Sequence, residues 1–540
     1  MVEAGKRAAD VLARRLYAAG CRHAFGMPGG EVLTLLDAFV RAGIEFHLAK
    51  HENAGGFMAE GTWHMSGAPA ILLGTIGPGI TNAVNVVANA SQDRVPLIVI
   101  SGAIDAAEAP TYTHQVVDHR AILKSLCKGS YELNAEAAGA IADKAVNVAM
   151  QMRCGPVHID VPIAVATAEA ADYPWQRAVV EPVAPADGKA LADARQWLAK
   201  AERPLLIIGH DAVLDGSAAQ LREVAAATGI PVLTTYKAKG VIPEDKAGVA
   251  GSFSLSPLAD QHLQPLVAKA DVVVLAGFDP IEVRTGWRNP FDLEGQKVIE
   301  FAGEVNDHYV HHSSVSFVCH TGEGIKALFA GIDRSLAWPG GEPGKVRDAL
   351  ATAYGQTGDW GPAVIADEVR KVLPRNGVLT IDTGAHRIVA TQVWQSYAPS
   401  QLLQSVGLGS MGCGLPLAIG VKLAAPETSV VAMTGDGGLM MALGELSTLS
   451  DLKLAVPVIV FVDRSLALIE QKQRERQLGN AGVDFPGDYD YIQLAQAFGG
   501  KGYVIESRQG LADALHEALK ADCFSLLACE IDRQAYDGRL

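Results

Sequence analysis

Asp436 and Asp463 lie twenty-seven residues apart, each where a short apolar run gives way to a turn: Ser429–Thr434 before Gly435-Asp436-Gly437-Gly438, and Val456–Val462 before Asp463-Arg464-Ser465. Carboxylates at neighbouring strand ends can converge on one hard cation such as Mg²⁺ or Ca²⁺, which takes oxygen ligands, and the Ser465 carbonyl can add another. Gly435, Gly437 and Gly438 let the backbone approach an anion where a Cβ would obstruct it. A helix expected over about Leu439–Asp451 would turn its positive end toward that anion. A bare Gly-Asp-Gly is also an ordinary tight turn with a solvated aspartate. The second carboxylate at the next strand end makes the metal–diphosphate reading the stronger one.

Glu52 is the third chemical residue. It lies in Lys50-His51-Glu52-Asn53 and precedes Ala54-Gly55-Gly56-Phe57-Met58-Ala59, a small and apolar stretch that suits a buried helix start. A glutamate after a histidine is ordinarily a surface or capping residue. A buried one can share a proton with a ring nitrogen. Thiamine chemistry has a use for that: a carboxylate at the pyrimidine N1′ favours the imino tautomer, whose exocyclic nitrogen deprotonates the thiazolium C2. The resulting ylid is the electron sink for decarboxylating a 2-oxo acid.

These residues need elements to hold them. Helical periodicity over Ala8–Ala19, Leu33–Ala42 and Thr81–Ser91 alternates with short apolar runs such as Ala70–Thr75, and this unit ends near Gly155–Pro162. That alternation predicts parallel sheets covered on both faces. The pattern recurs from Arg203, through Val232–Thr235 and Ala270–Gly277, and again from Val378 to Val462. Stretches rich in proline with alanine or glycine, Glu169–Asp187 and Leu336–Lys345, read as linkers. The fold class is therefore α/β, with three doubly wound parallel-sheet domains: 1–168 (pyrimidine-binding), 189–335 (central) and 358–540 (diphosphate-binding).

Composition narrows the function classes. Of 540 residues, 49% are hydrophobic and 19% charged, which gives a large interior and argues against wholesale disorder. A net charge of −15 opposes a nucleic-acid partner. Seven scattered cysteines without a C-x-x-C read as free thiols in a reducing compartment. Charges near the N-terminus take the place of a signal-peptide core, and the apolar runs suit strands, not membrane spans. The expectation is a cytoplasmic protein without a membrane partner. Asp307-His308-Tyr309-Val310-His311-His312 has no ligand spacing of a metal site, and Cys413 reads as packed.

The chain resembles thiamine diphosphate-dependent enzymes of the acetolactate synthase, pyruvate oxidase and 2-oxo acid decarboxylase superfamily, and is most similar to FAD-independent acetolactate synthases. The resemblance runs nearly end to end. It rests on Phe25-Gly26-Met27-Pro28-Gly29-Gly30, His51-Glu52, Gly77-Pro78-Gly79-Ile80-Thr81-Asn82, Gly407-Leu408-Gly409-Ser410-Met411-Gly412 and Gly435-Asp436-Gly437 through Asp463. It implies Glu52 as cofactor activator, Pro78 and Asn82 at the pyrimidine, and Gly30 and Gln115 facing the reacting carbon. Met411, beside Gly409 and Ser410, would be the wedge that bends the cofactor. Thr383-Gly384-Ala385-His386 would approach the diphosphate, with Gly435, Asp436, Gly437, Gly438, Asp463 and Ser465 around it and Mg²⁺ on Asp436, Asp463 and Ser465.

Glu52 and Asp436 would meet across the subunit interface of a homodimer or homotetramer. Asp463, where many relatives have asparagine, also occurs in the FAD-independent branch, as do Asp279-Pro280-Ile281-Glu282-Val283 and Gly482-Val483-Asp484-Phe485. FAD is accordingly not expected. Glu31 stands where acetolactate-forming relatives tend to have a small or basic residue, and a carboxylate there would repel an anionic acceptor. Lys472 and Arg474 could offset it as a lid, or form a solvated helix face. The implied reaction is decarboxylation of a 2-oxo acid with carboligation, pyruvate to 2-acetolactate in the favoured case. Simple decarboxylation, carboligation to another aldehyde, ketone or acyl-CoA, and flavin-linked oxidation are the alternatives.

Overall fold

A computed structural model describes residues 6–172, 180–356 and 358–540. It contains three six-stranded parallel sheets with flanking helices. The first has β1 (His23–Met27), β2 (Glu45–Leu48), β3 (Ala70–Gly74), β4 (Leu97–Ala103), β5 (Gly129–Glu132) and β6 (Val157–Pro162). The second has β7 (Pro204–Ile208), β8 (Val232–Thr235), β9 (Val249–Phe253), β10 (Val272–Ala276), β11 (Lys297–Ala302) and β12 (Val315–Val318). The third has β13 (Val378–Ile381), β14 (Leu402–Gln404), β15 (Val430–Gly435), β16 (Pro457–Val462), β17 (Lys501–Ile505) and β18 (Ser525–Glu530). Strands such as β3, β7 and β10 are buried throughout and uniformly apolar, as strands covered on both faces must be.

The first and third sheets share one order, β2-β1-β3-β4-β6-β5 and β14-β13-β15-β16-β18-β17; the central one runs β12-β11-β10-β7-β8-β9. Strand order reverses between β1 and β3, between β13 and β15, and between β7 and β10. A crevice for ligand opens at the carboxyl ends of such strand pairs. The loops there are Pro28-Gly29-Gly30-Glu31 and Thr75-Ile76-Gly77-Pro78 in the first sheet, and Asp382–His386 and Asp436–Gly438 in the third.

In the central sheet the same position is filled by the chain itself. A Cβ on Gly209 would lie 2.5 Å from the Gly277 carbonyl, and one on Gly277, where φ is +67°, 2.5 Å from the Ala212 nitrogen. Arg153 of the first domain pairs with Asp211 at 2.9 Å, and Arg94 with Asp279 at 2.8 Å.

The first and third domains meet through the helices Glu52–Ser66 and Gly414–Ala424. Their backbones touch: a Cβ on Gly420 would stand 1.9 Å from the Met58 carbonyl, and one on Gly61 2.4 Å from that of Leu417.

Several boundaries differ from the sequence reading. The helix expected at Thr81 begins at Pro78, because proline at the first helical position needs no amide partner. The stretch expected as one helix over Leu439–Asp451 is two, Asp436–Met441 and Glu445–Asp451, broken beside Gly444. The stretch Leu336–Lys345 is not a free linker: Trp338 is buried with its indole N–H on the Pro204 carbonyl at 2.7 Å, and a helix starts at Glu342. Part of the Glu169–Asp187 linker, 173–179, lies outside the described residues. All seven cysteines are free thiols, and no helix among the described residues is long and apolar enough to cross a membrane.

Candidate active site

The third domain gathers one half of the site. Thr383, Gly384, Ala385, His386, Gly409, Met411, Gly435, Asp436, Gly437, Gly438, Asp463 and Ser465 line a single cavity of about 190 Å³. Beside it lies a larger space of about 470 Å³, which shares Met411, Asp436 and Gly437 and is walled by Met440, Phe485 and Tyr491. Asp436 is buried at the start of its helix. Its Oδ1 accepts the Gly437 N–H and its Oδ2 the Arg464 N–H, both at 2.7 Å. Asp463 is buried at the end of β16; its Oδ1 accepts from the Ser465 amide at 2.9 Å and hydroxyl at 2.8 Å, and its Oδ2 from the Tyr536 hydroxyl at 3.2 Å.

Burial raises the pKa of both carboxyls. Burial first, and then the charge of Asp436, push Asp463 up to about 7. The smaller cavity has no lysine or arginine in its wall. Two carboxylates around such a space favour a divalent cation, and a diphosphate could share the space only through one. The Thr383 hydroxyl and His386 Nε2 are buried without hydrogen-bond partners, which leaves polar atoms available for phosphate oxygens. His386 is stacked on Phe461 with ring centroids 5.0 Å apart. The residues fit a metal-bridged diphosphate.

Two positioning residues escaped the sequence reading. Asp382, at the end of β13, is buried and accepts from the amides of Thr383 at 2.7 Å and Gly412 at 2.9 Å and from the Thr434 hydroxyl at 3.0 Å. It thereby fixes the turn that carries Met411. A Cβ on Gly438 would meet its carboxylate at 2.4 Å, which explains the second glycine after Asp436. Asp93, in the first domain, accepts the amides of Val406 and Gly407 at 3.1 and 3.0 Å and pairs with Lys237 of the central domain at 3.0 Å. Only an acidic residue at the end of an apolar run could have hinted at Asp382. Ser410 does not line the cavity; its hydroxyl donates to Asn85 of the first domain at 3.2 Å.

The first domain gathers the other half. Glu52 opens its helix, is buried, and accepts from Asn82 Nδ2 at 3.0 Å on Oε2. Gly77, where φ is +66°, precedes Pro78; its amide donates to His119 Nε2 at 3.0 Å, and His119 Nδ1 meets Asp160 at 2.9 Å. The Gln115 backbone, in the left-handed region at φ +58°, presses on Gly77, where a Cβ would lie 2.4 Å from its carbonyl. Gly30 is exposed, with open space where a Cβ would stand. Glu31 accepts from Thr75 Oγ1 at 2.6 Å.

Within one chain Glu52 and Asn82 line neither cavity around Asp436, although a further cavity places Met411 and Met441 beside His51, Asn53 and Ala54. Of the expected lid cations, Arg474 is engaged by Glu470 at 3.1 Å and Asp537 at 2.6 Å, so it belongs to a surface ion network, while Lys472 is exposed.

Comparison with known proteins matches three family models in order along the chain. Residues 6–122 match the thiamine pyrophosphate enzyme N-terminal TPP binding domain, 191–328 its central domain and 382–529 its C-terminal TPP binding domain. The chain is 29% identical over 528 residues to the acetolactate synthase isozyme 2 large subunit of Escherichia coli (strain K12), covering 96% of this chain and 94% of that one. It is 27% identical over 539 residues to the acetolactate synthase of Bacillus subtilis (strain 168), covering 96% and 91%. It is 30% identical over 509 residues to the probable 2-ketoarginine decarboxylase AruI of Pseudomonas aeruginosa, covering 91% and 88%. With the Asp436–Asp463 cavity and the buried Glu52 in their expected domains, the chain belongs to the thiamine pyrophosphate enzymes, as an acetolactate synthase-like carboligase/decarboxylase.

Proposed function

We propose that this protein decarboxylates a 2-oxo acid and joins the remaining acyl unit to a second carbonyl compound, with two pyruvates giving 2-acetolactate and CO₂ as the favoured case. The cavity at the carboxyl ends of β13 and β15, with its paired carboxylates and unpartnered Thr383 and His386, carries the reading. Bound thiamine diphosphate supplies the electron sink for the carboxyl-bearing carbon. Asp436, Asp463 and the Ser465 carbonyl would hold Mg²⁺. Thr383 and His386 would meet phosphate oxygens, and Met411, fixed through Asp382, would keep the cofactor bent.

Glu52, oriented by Asn82 on one carboxylate oxygen, would hold a proton at the pyrimidine N1′ with the other. Because Glu52 and Asn82 line neither cavity around Asp436 in one chain, each site would be completed by a second copy, in a homodimer or homotetramer. The central domain would hold no flavin, since Arg94, Arg153 and the Gly209–Gly277 contact fill the position where a dinucleotide would enter.

Glu31 favours a second reading. It makes no ion pair among the described residues, and it flanks Gly30 at the entrance of the first domain's crevice. A lone carboxylate there suits a 2-oxo acid with a cationic side chain better than pyruvate. The relative from Pseudomonas, by its name a decarboxylase of such an acid, points the same way.

The test is turnover of pyruvate and of 2-ketoarginine by purified protein with thiamine diphosphate and Mg²⁺, resolving acetolactate from aldehyde products, beside Glu52→Gln. Acetolactate from the unmutated protein alone supports the first reading. Turnover restricted to the cationic acid replaces it with the second, and equal activity of Glu52→Gln overturns the role of Glu52 in both.

A further inference from the structure

Among the described residues, two clusters of metal-ligating side chains lie outside the cofactor site: His119, His158 and Asp160, and His23, Glu45 and His47. The first is occupied by its own chain. His119 spans the Gly77 amide and Asp160, and His158 meets the hydroxyls of Ser101 at 2.7 Å and Ser130 at 2.9 Å, so all four ring nitrogens are used. The second is different. His23 opens β1 and Glu45 opens the edge strand β2, paired in parallel register, with His47 two residues beyond Glu45 on the same face.

His23 Nδ1 and His47 Nε2 are 3.0 Å apart, and Glu45 Oε2 lies 3.9 Å from the first and 3.8 Å from the second. The centre of a triangle with those sides is about 2.1 Å from each corner, within the range of Zn–N and Zn–O bonds. A cation arriving there would replace the hydrogen bond between the two rings.

We propose that His23, Glu45 and His47 form a transition-metal site suited to Zn²⁺, separate from the Mg²⁺ site at the diphosphate. Two imidazoles and one carboxylate are donors for Zn²⁺, Cu²⁺ or Ni²⁺, whereas Mg²⁺ takes oxygen alone. Both histidines are largely buried, with side-chain exposures of 17% and 7%, while Glu45 is 72% exposed, so the site is fixed on one side and open to solvent on the other. Arg22, the adjacent cation, is held over the Tyr17 ring at 3.8 Å. The site lies at the amino ends of β1 and β2, opposite the edge that bears Gly30 and Glu52. A metal there would clamp β2, an edge strand with no further partner in the sheet, just before the chain enters the Glu52 helix.

The experiment uses metal-stripped full-length protein, reloaded with thiamine diphosphate and excess Mg²⁺ to fill the diphosphate site, and titrated with Zn²⁺ against a chromophoric chelator. One Zn²⁺ per chain is expected, with affinity lowered more than about tenfold in His47→Gln and in Glu45→Gln, since losing a ligand costs more than losing a group behind one. Glu45→Gln alters an exposed side chain and so keeps the test intact if His47→Gln does not fold. No saturable Zn²⁺ binding, or binding unchanged in the variants, overturns the proposal.

Discussion

The carboxyl ends of β13 and β15 and those of β7 and β10 are the same topological feature put to opposite uses. Each pair marks the reversal of strand order in a parallel sheet, and each is followed by glycine and aspartate: Gly435-Asp436 in one, Gly209-His210-Asp211 and Gly277-Phe278-Asp279 in the other. In the third domain the carboxylates keep no basic side chain and surround an open cavity. In the central domain Arg153 and Arg94 cross from the first domain to neutralise Asp211 and Asp279. Whether such a crevice binds a ligand or a neighbouring domain is thus decided by where its counter-charge comes from. An aspartate that lacks a protein cation is free to meet one from outside, the role proposed above for Asp436 and Asp463.

The central cluster is the harder one to disturb. In Arg153→Met, Asp211 and Asp279 would lose a buried partner, and removing one member of a buried pair costs about 3–5 kcal/mol. Denaturant unfolding should show the loss, and a change below about 1 kcal/mol would mean the cluster is not a structural substitute for ligand. The open crevice should behave inversely. Asp436→Asn relieves repulsion from Asp463 but turns an amide donor toward one of the two backbone N–H groups that Asp436 accepts, so unfolding of the ligand-free protein should change by less than in Arg153→Met, by about 1 kcal/mol. The substitution should weaken thiamine diphosphate binding in Mg²⁺ by more than about a hundredfold in calorimetry, worth about 2.7 kcal/mol.

pH sharpens the contrast further. A carboxyl whose pKa is raised on folding binds more protons in the folded state, so its contribution to stability falls as pH climbs from the unfolded value toward the raised one. Asp463, raised to about 7, should therefore destabilise the ligand-free protein as pH rises through that range. A metal must displace its proton, so Mg²⁺-dependent cofactor affinity should be about tenfold weaker at pH 6 than at pH 8. A flat profile in Asp463→Asn would assign the effect to this residue. The smallest effect belongs to Glu31. Glu31→Gln should raise kcat/KM for pyruvate about twofold to fivefold by removing repulsion of an anion, with no change in cofactor affinity.

Local features of the sequence were legible and distant ones were not. Asp436 and Asp463 could be read because one strand–helix–strand unit brings them together. Glu52 could be read because small apolar residues follow it. The helix Leu33–Ala42 stands where its periodicity put it. The stretch after Leu439 has the same periodicity but breaks beside Gly444, where Glu445 also accepts the Lys50 amide of the first domain at 3.0 Å. Asp382, Asp93 and Arg153 act on groups 30, 313 and 58 positions away, and no pattern along the chain announces such a pairing. His119 was invisible for the same reason, although the Gly77-Pro78 turn it holds was plain.

The claim that Glu52 and Asp436 serve one reaction from different chains has a direct test. Glu52→Gln and Asp436→Asn are each expected to be inactive as purified proteins. Co-expressed, they would assort into mixed oligomers in which one site in two pairs an intact Glu52 with an intact Asp436, restoring about a quarter of wild-type activity. No recovery in verified mixed oligomers would contradict the shared site and return both residues to a single chain.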